Sequence, residues 1–265
     1  MKVMVFCGKR YAARRALDTM LDYGMNIVGC VFEEACPIEF SDFCKRHDIP
    51  VYTDKQLYEA LKLGTFPQFD IGISYLYHRI LKESIIEFAN QNIINFHPAP
   101  TEIHRGIAPS CWCLLNGYKE WAVTAHYLTL GVDEGDIIKQ RWFSIEHIRT
   151  AVEAEAYIQK QSIELLKEVL ELLQSSGGGS ALPRRKQDLS KGCYFGRKEL
   201  ESEKIINNAD DTDVIDHKIR SLWMPPHMGV YTEIGGKKYS LVDEEIMREI
   251  TEMYRKAKLY DAAHE

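Results

Sequence analysis

Apolar and polar positions fall into short alternating blocks over the first hundred residues. The run Lys2-Val3-Met4-Val5-Phe6-Cys7 is nearly all apolar, and Gly8 opens a turn after it. A continuous apolar run of that length, bounded by a turn residue, predicts a buried strand. From Tyr11 to Tyr23 the apolar residues Ala12, Ala16, Met20 and Tyr23 recur at helical spacing, and Gly24 closes the helix. Ile27 to Phe32 predicts a second strand, Phe40 to His47 a short helix, and Leu57 to Leu63 another. Asp70 to Ser74 reads as a third strand, Leu81 to Asn90 as a helix, and Ile93 to His97 as a fourth strand ended by Pro98. Strands alternating with helices at short intervals predict a parallel sheet with right-handed crossovers. Ligands of such sheets bind beyond the carboxyl ends of the strands. The polar residues at those ends, Tyr75 to Arg79 and Asn95 to Arg105, are therefore the first candidates for chemistry.

The pattern changes further along. Val123 to Leu128 predicts another strand, followed by a turn-rich stretch from Thr129 to Ile138 that contains Asp133, Glu134 and Asp136. A long helix spans Ala151 to Gln174, with Ile158, Ser162, Leu165, Leu166, Val169, Leu172 and Leu173 along one face. Ser175-Ser176-Gly177-Gly178-Gly179-Ser180 ends it as a flexible loop. Beyond Gly192, Tyr194 to Arg197, Gly229 to Thr232 and Lys237 to Val242 read as short strands, with Gly235-Gly236 as a hairpin turn. A last helix is predicted from Asp243 to Leu259. The fold class expected is α/β: a Rossmann-like, mostly parallel sheet with flanking helices in residues 1–190, and a small mixed C-terminal region with short strands in residues 191–265.

Composition narrows the function classes. Of 265 residues, 45% are hydrophobic and 27% charged, which excludes a disordered tail, a collagen-like repeat and a disulfide miniprotein. No apolar run reaches the roughly 18 residues of a membrane helix, and the N-terminal run is too short for a signal-peptide core, so the expected location is the cytoplasm with no membrane partner. The seven cysteines are irregularly spaced without paired CxxC motifs. Cys111 and Cys113, two apart in a predicted helix, do not share a face. No metal is expected. The net charge is −6, and residues 190–265 carry 12 Lys and Arg against 15 Asp and Glu. Only Arg184-Arg185-Lys186 is a basic cluster, which disfavours nucleic acid but not a small anionic ligand. The first turn, Gly8-Lys9-Arg10-Tyr11, has one glycine and is not a dinucleotide-binding loop.

Asn95 and His97 are two residues apart on a strand and point to one face. An amide that stabilises an oxyanion beside an imidazole that handles a proton suits acyl transfer. The same pair could also simply cap a strand end. A carboxylate from the loop after the next strand would orient His97 and stabilise its charge.

Taken in order, Asn95-x-His97-Pro98, Arg105-Gly106, Trp112, Asn116-Gly117, Val123-Thr124-Ala125-His126 and Val132-Asp133-x-Gly135-Asp136-Ile137-Ile138 resemble the folate-dependent formyltransferases. That family includes methionyl-tRNA formyltransferase, glycinamide ribonucleotide formyltransferase and the nucleotide-sugar N-formyltransferases. The resemblance spans about residues 1–200, and Gln187, Tyr194 and Arg197 resemble the segment after the family's long helix. It implies N10-formyltetrahydrofolate as donor and a primary amine as acceptor. The catalytic set falls on Asn95, His97 and Asp133, the aspartate chosen because it lies two residues before Gly135. The pterin-binding loops fall on Leu130, Gly131 and Asp136 and on Tyr75, Tyr77, His78 and Arg79. The acceptor side falls on Pro98, Ala99, Pro100, Thr101 and Arg105, with Tyr194 and Arg197.

One departure points to the acceptor. Many relatives carry Ser-Leu-Leu-Pro after His-Pro, whereas this chain has Ala99-Pro100-Thr101-Glu102-Ile103-His104. The Ala-Pro form and the segment Leu222 to Tyr231 resemble the enzymes that formylate nucleotide-linked amino sugars. A methionyl-tRNA enzyme would have a basic C-terminal module, and a purine-pathway enzyme would not need this tail. The resemblance thus implies a nucleoside-diphosphate amino-deoxy sugar as substrate, a role in outer-surface (lipopolysaccharide) biosynthesis, and a homodimer with a contribution from the tail. The alternatives are methionyl-tRNA or another small amine as acceptor, hydrolysis of the donor, and a folate-binding protein without turnover. His126 is read as packing in the sheet or hydrogen-bonding behind the site, Trp112 and Trp121 as core residues. Tyr194, Phe195 and Trp223 either anchor the C-terminal region or stack on a base.

Overall fold

The computed structural model describes residues 1–176, 182–207, 209–227 and 229–262. The loop expected at Ser175 to Ser180 falls, from Gly177 onward, outside the described residues. Two units are distinguished: residues 1–109, 119–145 and 156–195, and residues 110–118, 146–155 and 196–265.

In the first unit the apolar runs become strands β1 (Lys2–Cys7), β2 (Asn26–Phe32), β3 (Val51–Thr53), β4 (Ile71–Tyr75) and β5 (Ile93–His97). They alternate with helices α1 (Tyr11–Asp22), α2 (Ile38–Arg46), α3 (Asp54–Leu63) and α4 (Glu83–Phe88). With β7 (Glu120–Tyr127) and β8 (Ile137–Ser144) they form a seven-stranded sheet ordered β3-β2-β1-β4-β5-β7-β8. The first five strands in that order pair in parallel; β7 runs antiparallel to β5, and β8 antiparallel to β7. Met4, Phe6, Val31, Leu57, Phe66, Leu81, Ile85 and Ile93 pack as one buried cluster under the helices, which is what fixes the sheet as a rigid platform for the loops at its carboxyl end.

Several elements depart from the sequence expectation. Helix α3 starts three residues earlier, because Thr53 and Gln56 form a capping box: the Gln56 amide N–H donates to Thr53 Oγ1 at 3.2 Å and the Thr53 amide N–H to Gln56 Oε1 at 2.8 Å. Helix α4 is shorter than read, and Asn90 and Gln91 after it adopt φ of 49° and 59°. Ile137 and Ile138 begin strand β8 instead of ending a loop. As the edge of the sheet, β8 exposes Trp142 and half-exposes Lys139 and Arg141, so it lacks a clean alternation. Two short strands outside the main sheet, β6 (His104–Gly106) and β9 (Cys193–Phe195), pair in parallel. They are too short to show a pattern.

The second unit contains residues of α5 (Pro109–Leu115) and the first residues of the long helix α6 (Ala151–Ser176), then α7 (Arg197–Glu203) and α8 (Thr212–Leu222). The expected hairpin is present as β10 (Tyr231–Ile234) and β11 (Lys237–Ser240), turning at Gly235 and Gly236 with φ of 59° and 77°. Helix α9 (Glu244–Ala262) follows. Arg197 opens a helix where a strand was expected, because the Gly196 amide N–H donates to Glu199 Oε2 at 3.0 Å. Helix α8 had not been anticipated; the Asp211 side chain caps it by accepting from the Asp213 amide at 2.8 Å. A cavity of about 480 Å³ in this unit is lined by Trp112, Asn116, Glu203, Asp213, His217 and Lys218, among others.

Candidate active site

Strand β5 delivers Asn95 and His97 to one face of the sheet, and the antiparallel register with β7 sets His126 directly opposite Asn95. The turn after β7 brings Asp133 to the same place. Asp133 Oδ2 lies 3.4 Å from His97 Nδ1, and Asp133 Oδ1 lies 3.5 Å from His126 Nε2. The Asn95 side-chain amide donates to Asp133 Oδ1 at 3.3 Å and lies 3.2 Å from His126 Nε2. His126 Nδ1 lies 2.9 Å from the Tyr127 carbonyl oxygen, to which it donates. Gly106 completes the ring of donors, its amide N–H reaching Asp133 Oδ2 at 3.0 Å.

Backbone geometry builds this cluster. Asp133 has φ of 56°, in the left-handed region, and Gly106 has φ of 102°. A Cβ on Gly106 would lie 2.3 Å from the Phe195 carbonyl oxygen, and one on Gly135 would lie 1.7 Å from that of Tyr127. Both glycines are required by close backbone approach.

The electrostatics follow from burial and contact. Burial pushes His97 below the ordinary imidazole value; His126 reinforces that shift and the charge of Asp133 opposes it. Burial opposes the charge on Asp133, yet His97, His126 and the Gly106 N–H together hold its carboxyl well below the usual carboxylate range. At neutral pH the site therefore contains an anionic Asp133 beside a neutral His97. Nε2 of His97 is buried and has no hydrogen-bond partner among the described residues.

The other residues singled out from the sequence take varied positions. Tyr75 is buried inside the sheet against Phe96, with ring centroids 5.7 Å apart. Tyr77, His78 and Arg79 lie on the loop after β4 and are tied down: Tyr77 donates to Asp54 Oδ1 at 2.8 Å, His78 meets Glu33 at 3.1 Å, and Arg79 meets Glu34 at 3.8 Å. Leu130 is exposed, Gly131 packs against the Glu134 carboxylate, and Asp136 is half-buried. The Pro98 carbonyl accepts from Trp121 Nε1 at 3.0 Å and that of Ala99 from Thr124 Oγ1 at 2.7 Å; Ala99, Pro100 and Thr101 are buried. Arg105 is buried too, and its guanidinium donates to the carbonyls of Thr101, Leu189 and Gly192 at 3.1, 3.3 and 3.1 Å. That gives it a framework task the sequence did not reveal. Tyr194 on β9 is exposed, and Arg197 belongs to the second unit.

His104 was missed. Its ring stacks on Phe195 with centroids 4.7 Å apart and lies nearly parallel to that of His97 at 6.2 Å. Burial and the neighbouring His97 push it down to about 3, so it is a neutral ring at physiological pH. Its only signal in the sequence was its place beside Arg105-Gly106. Among the described residues no group of three or more His, Cys, Asp or Glu is placed to hold a metal ion.

The chain has relatives by sequence and by fold. Residues 52–170 match the family model described as formyl transferase. The methionyl-tRNA formyltransferase of Syntrophomonas wolfei is 31% identical over 183 residues, covering 69% of this chain and 56% of that protein, so the chain spans little more than half the length of that relative. Among solved structures, the N-formyltransferase of Helicobacter canadensis, in complex with folinic acid and dTDP-3-aminofucose, superposes with a TM-score of 0.69 at 20% identity, covering 89% of this chain and 85% of that one. A 4-N formyltransferase from Francisella tularensis gives a TM-score of 0.70 at 17% identity over 92% and 97% of the two chains. Residues 52–170, which bring an amide, an imidazole and a carboxylate together at the ends of β5 and β7, belong to the formyl transferase family.

Proposed function

We propose that the chain transfers a formyl group from N10-formyltetrahydrofolate to the primary amine of a nucleotide-linked amino-deoxy sugar, with Asn95, His97 and Asp133 as the catalytic residues. The observation that carries the formyl-transfer part is the buried, uncommitted Nε2 of His97 on a ring whose other nitrogen faces the carboxylate of Asp133. Such a nitrogen can take a proton from an attacking amine. The bound donor supplies an electrophilic formyl carbon. The Asn95 amide nitrogen donates to Asp133 and lies 3.2 Å from His126 Nε2; on attack it turns its second N–H from His126 to the oxygen that becomes negative. Asp133 keeps the His97 ring in one orientation and stabilises the imidazolium that forms.

On this reading the folate lies against the loop 75–79 and the turn 130–136, and the sugar nucleotide on the side of residues 98–101 and Tyr194. Support for the sugar comes from the Helicobacter canadensis relative, which shares this fold and was solved with dTDP-3-aminofucose, and from the net-negative residues 190–265. We place the enzyme in the cytoplasm, as a homodimer to which residues 191–265 contribute, serving lipopolysaccharide synthesis. No described helix is long and apolar enough to cross a membrane.

A second reading has methionyl-tRNA as the acceptor, and the Syntrophomonas wolfei relative favours it. One screen separates the two. The protein is incubated with donor alone, with donor and a panel of nucleotide-linked amino sugars, and with donor and methionyl-tRNA, and the mass gain of one CO on the acceptor is read. Formylated methionyl-tRNA with unmodified sugars refutes the proposed acceptor. Donor consumed without any acceptor marks a hydrolase, and no consumption in any arm marks a binding protein. Light scattering at micromolar concentration tests the dimer.

A further inference from the structure

We propose that Gln187 is a positioning residue for Asp133, its side-chain amide fixing the turn that carries the carboxylate. The proposal rests on the formyl-transfer reading above. Asp133 has φ of 56°, a conformation that a non-glycine residue keeps only where its surroundings enforce it. Nε2 of Gln187 donates to the carbonyl oxygens of Asp133, at 3.0 Å, and of Gly135. The amide orientation is dictated by these partners, since an oxygen at that position would face two acceptors. Oε1 of Gln187 has no partner among the described residues, so only the donor half of the side chain is engaged.

The segment that presents Gln187 is itself anchored on both flanks. Arg185 exchanges backbone hydrogen bonds with Ile137 at 2.7 and 2.9 Å, and its guanidinium meets Glu102 at 3.1 Å. The Asp188 amide N–H donates to Glu102 at 3.1 Å, and the carbonyls of Leu189 and Gly192 accept from Arg105. Residues 185–192 thus join the turn bearing Asp133 to the loop bearing Arg105 and Gly106. Gln187 is the contact in that segment that grips the backbone of Asp133. Without it the two carbonyls are released, and Asp133 can leave its left-handed conformation. Its carboxylate then moves off His97 Nδ1, the Gly106 N–H and the Asn95 amide.

The test uses Gln187→Glu, which keeps the size and replaces the donor with acceptors, and Gln187→Met, which keeps the length without polarity. Both should lose about 10²-fold in kcat, the scale of a misplacement near 1 Å, with little change in KM for the folate donor. Added to Asp133→Asn, neither should cost much more, because the two act through one carboxylate. A readout independent of the acceptor is NMR titration of labelled His97 in the substrate-free protein. The groups facing His97 are Asp133, His126 and His104. Displacing the anion that raises its pKa makes His97 titrate at lower pH in Gln187→Met, which adds no charge of its own, than in the wild type. A wrong acceptor would leave the wild type without turnover and this titration difference intact. If His97 titrates as in the wild type in Gln187→Met, or if Gln187→Glu keeps wild-type kcat, the proposal is overturned.

Discussion

His97 Nδ1 lies 3.4 Å from Asp133 Oδ2, while the opposite nitrogen of the same ring is buried and uncommitted. One side of the imidazole is oriented by a charge and the other is left to accept a proton. Because the carboxylate also receives the Gly106 N–H and the Asn95 amide and faces His126, four groups from β5, β6 and β7 converge on one pair of oxygens.

His97→Asn removes the proposed proton acceptor in a shape close to that of the ring. Its kcat should fall by at least about 10²-fold, the lower end of general-base assistance, with the thermal midpoint near that of the wild type. Turnover within a few-fold of wild type, measured under saturating donor, would contradict the role.

The pH profile has a defined sign. Burial places His97 below 6.5, so the acid limb of kcat should lie below pH 6.5. The Asp133 charge opposes that shift, so Asp133→Asn should lower kcat and move the acid limb further down. Asp136→Asn should leave the limb in place, since the backbone carbonyl of Asp136, not its carboxylate, is what meets β7. Initial rates from pH 5 to 9 for the three proteins check this, and an acid limb that rises in Asp133→Asn would reverse the assignment.

Asn95→Ala removes the amide from both Asp133 and His126. A loss of about 10²- to 10³-fold in kcat, the cost of one oxyanion donor, is expected, with substrate KM values changed far less. If KM alone rises, Asn95 binds the ground state instead.

Gly135→Ala places a methyl group where the Tyr127 carbonyl oxygen stands. The turn must shift, at a cost of about 1–3 kcal/mol of stability for overpacking, and Asp133 shifts with it. A lowered midpoint in urea together with reduced kcat is the expected pair of results; an unchanged midpoint would mean the turn relaxes freely.

Arg105→Met tests whether this side chain is framework or acceptor contact. Loss of a guanidinium that serves three carbonyls should cost about 1–3 kcal/mol for the groups left unpaired. Arg105→Lys should recover only part, because a point charge cannot span the three oxygens. A rise in acceptor KM at unchanged stability would instead make it a substrate contact.

The local sequence carried the repeated βα pattern, the apolar runs of β1, β2, β4 and β5, the long helix and the hairpin at Gly235-Gly236, because burial on both faces and turn chemistry leave periodic traces in the chain. It also carried the closeness of Asn95 and His97, which follows from the period of a strand. Three things were decided only in three dimensions. The antiparallel register of β5 and β7 set His126 against Asn95, although 31 residues separate them. The stacking of His104 on Phe195 depended on two three-residue strands too short to show a pattern. The left-handed Asp133 is held by Gln187, 54 residues away. In each case the deciding contact joins segments distant in the chain, and side-chain hydrogen bonding to a backbone carbonyl leaves no periodicity that a linear pattern could register.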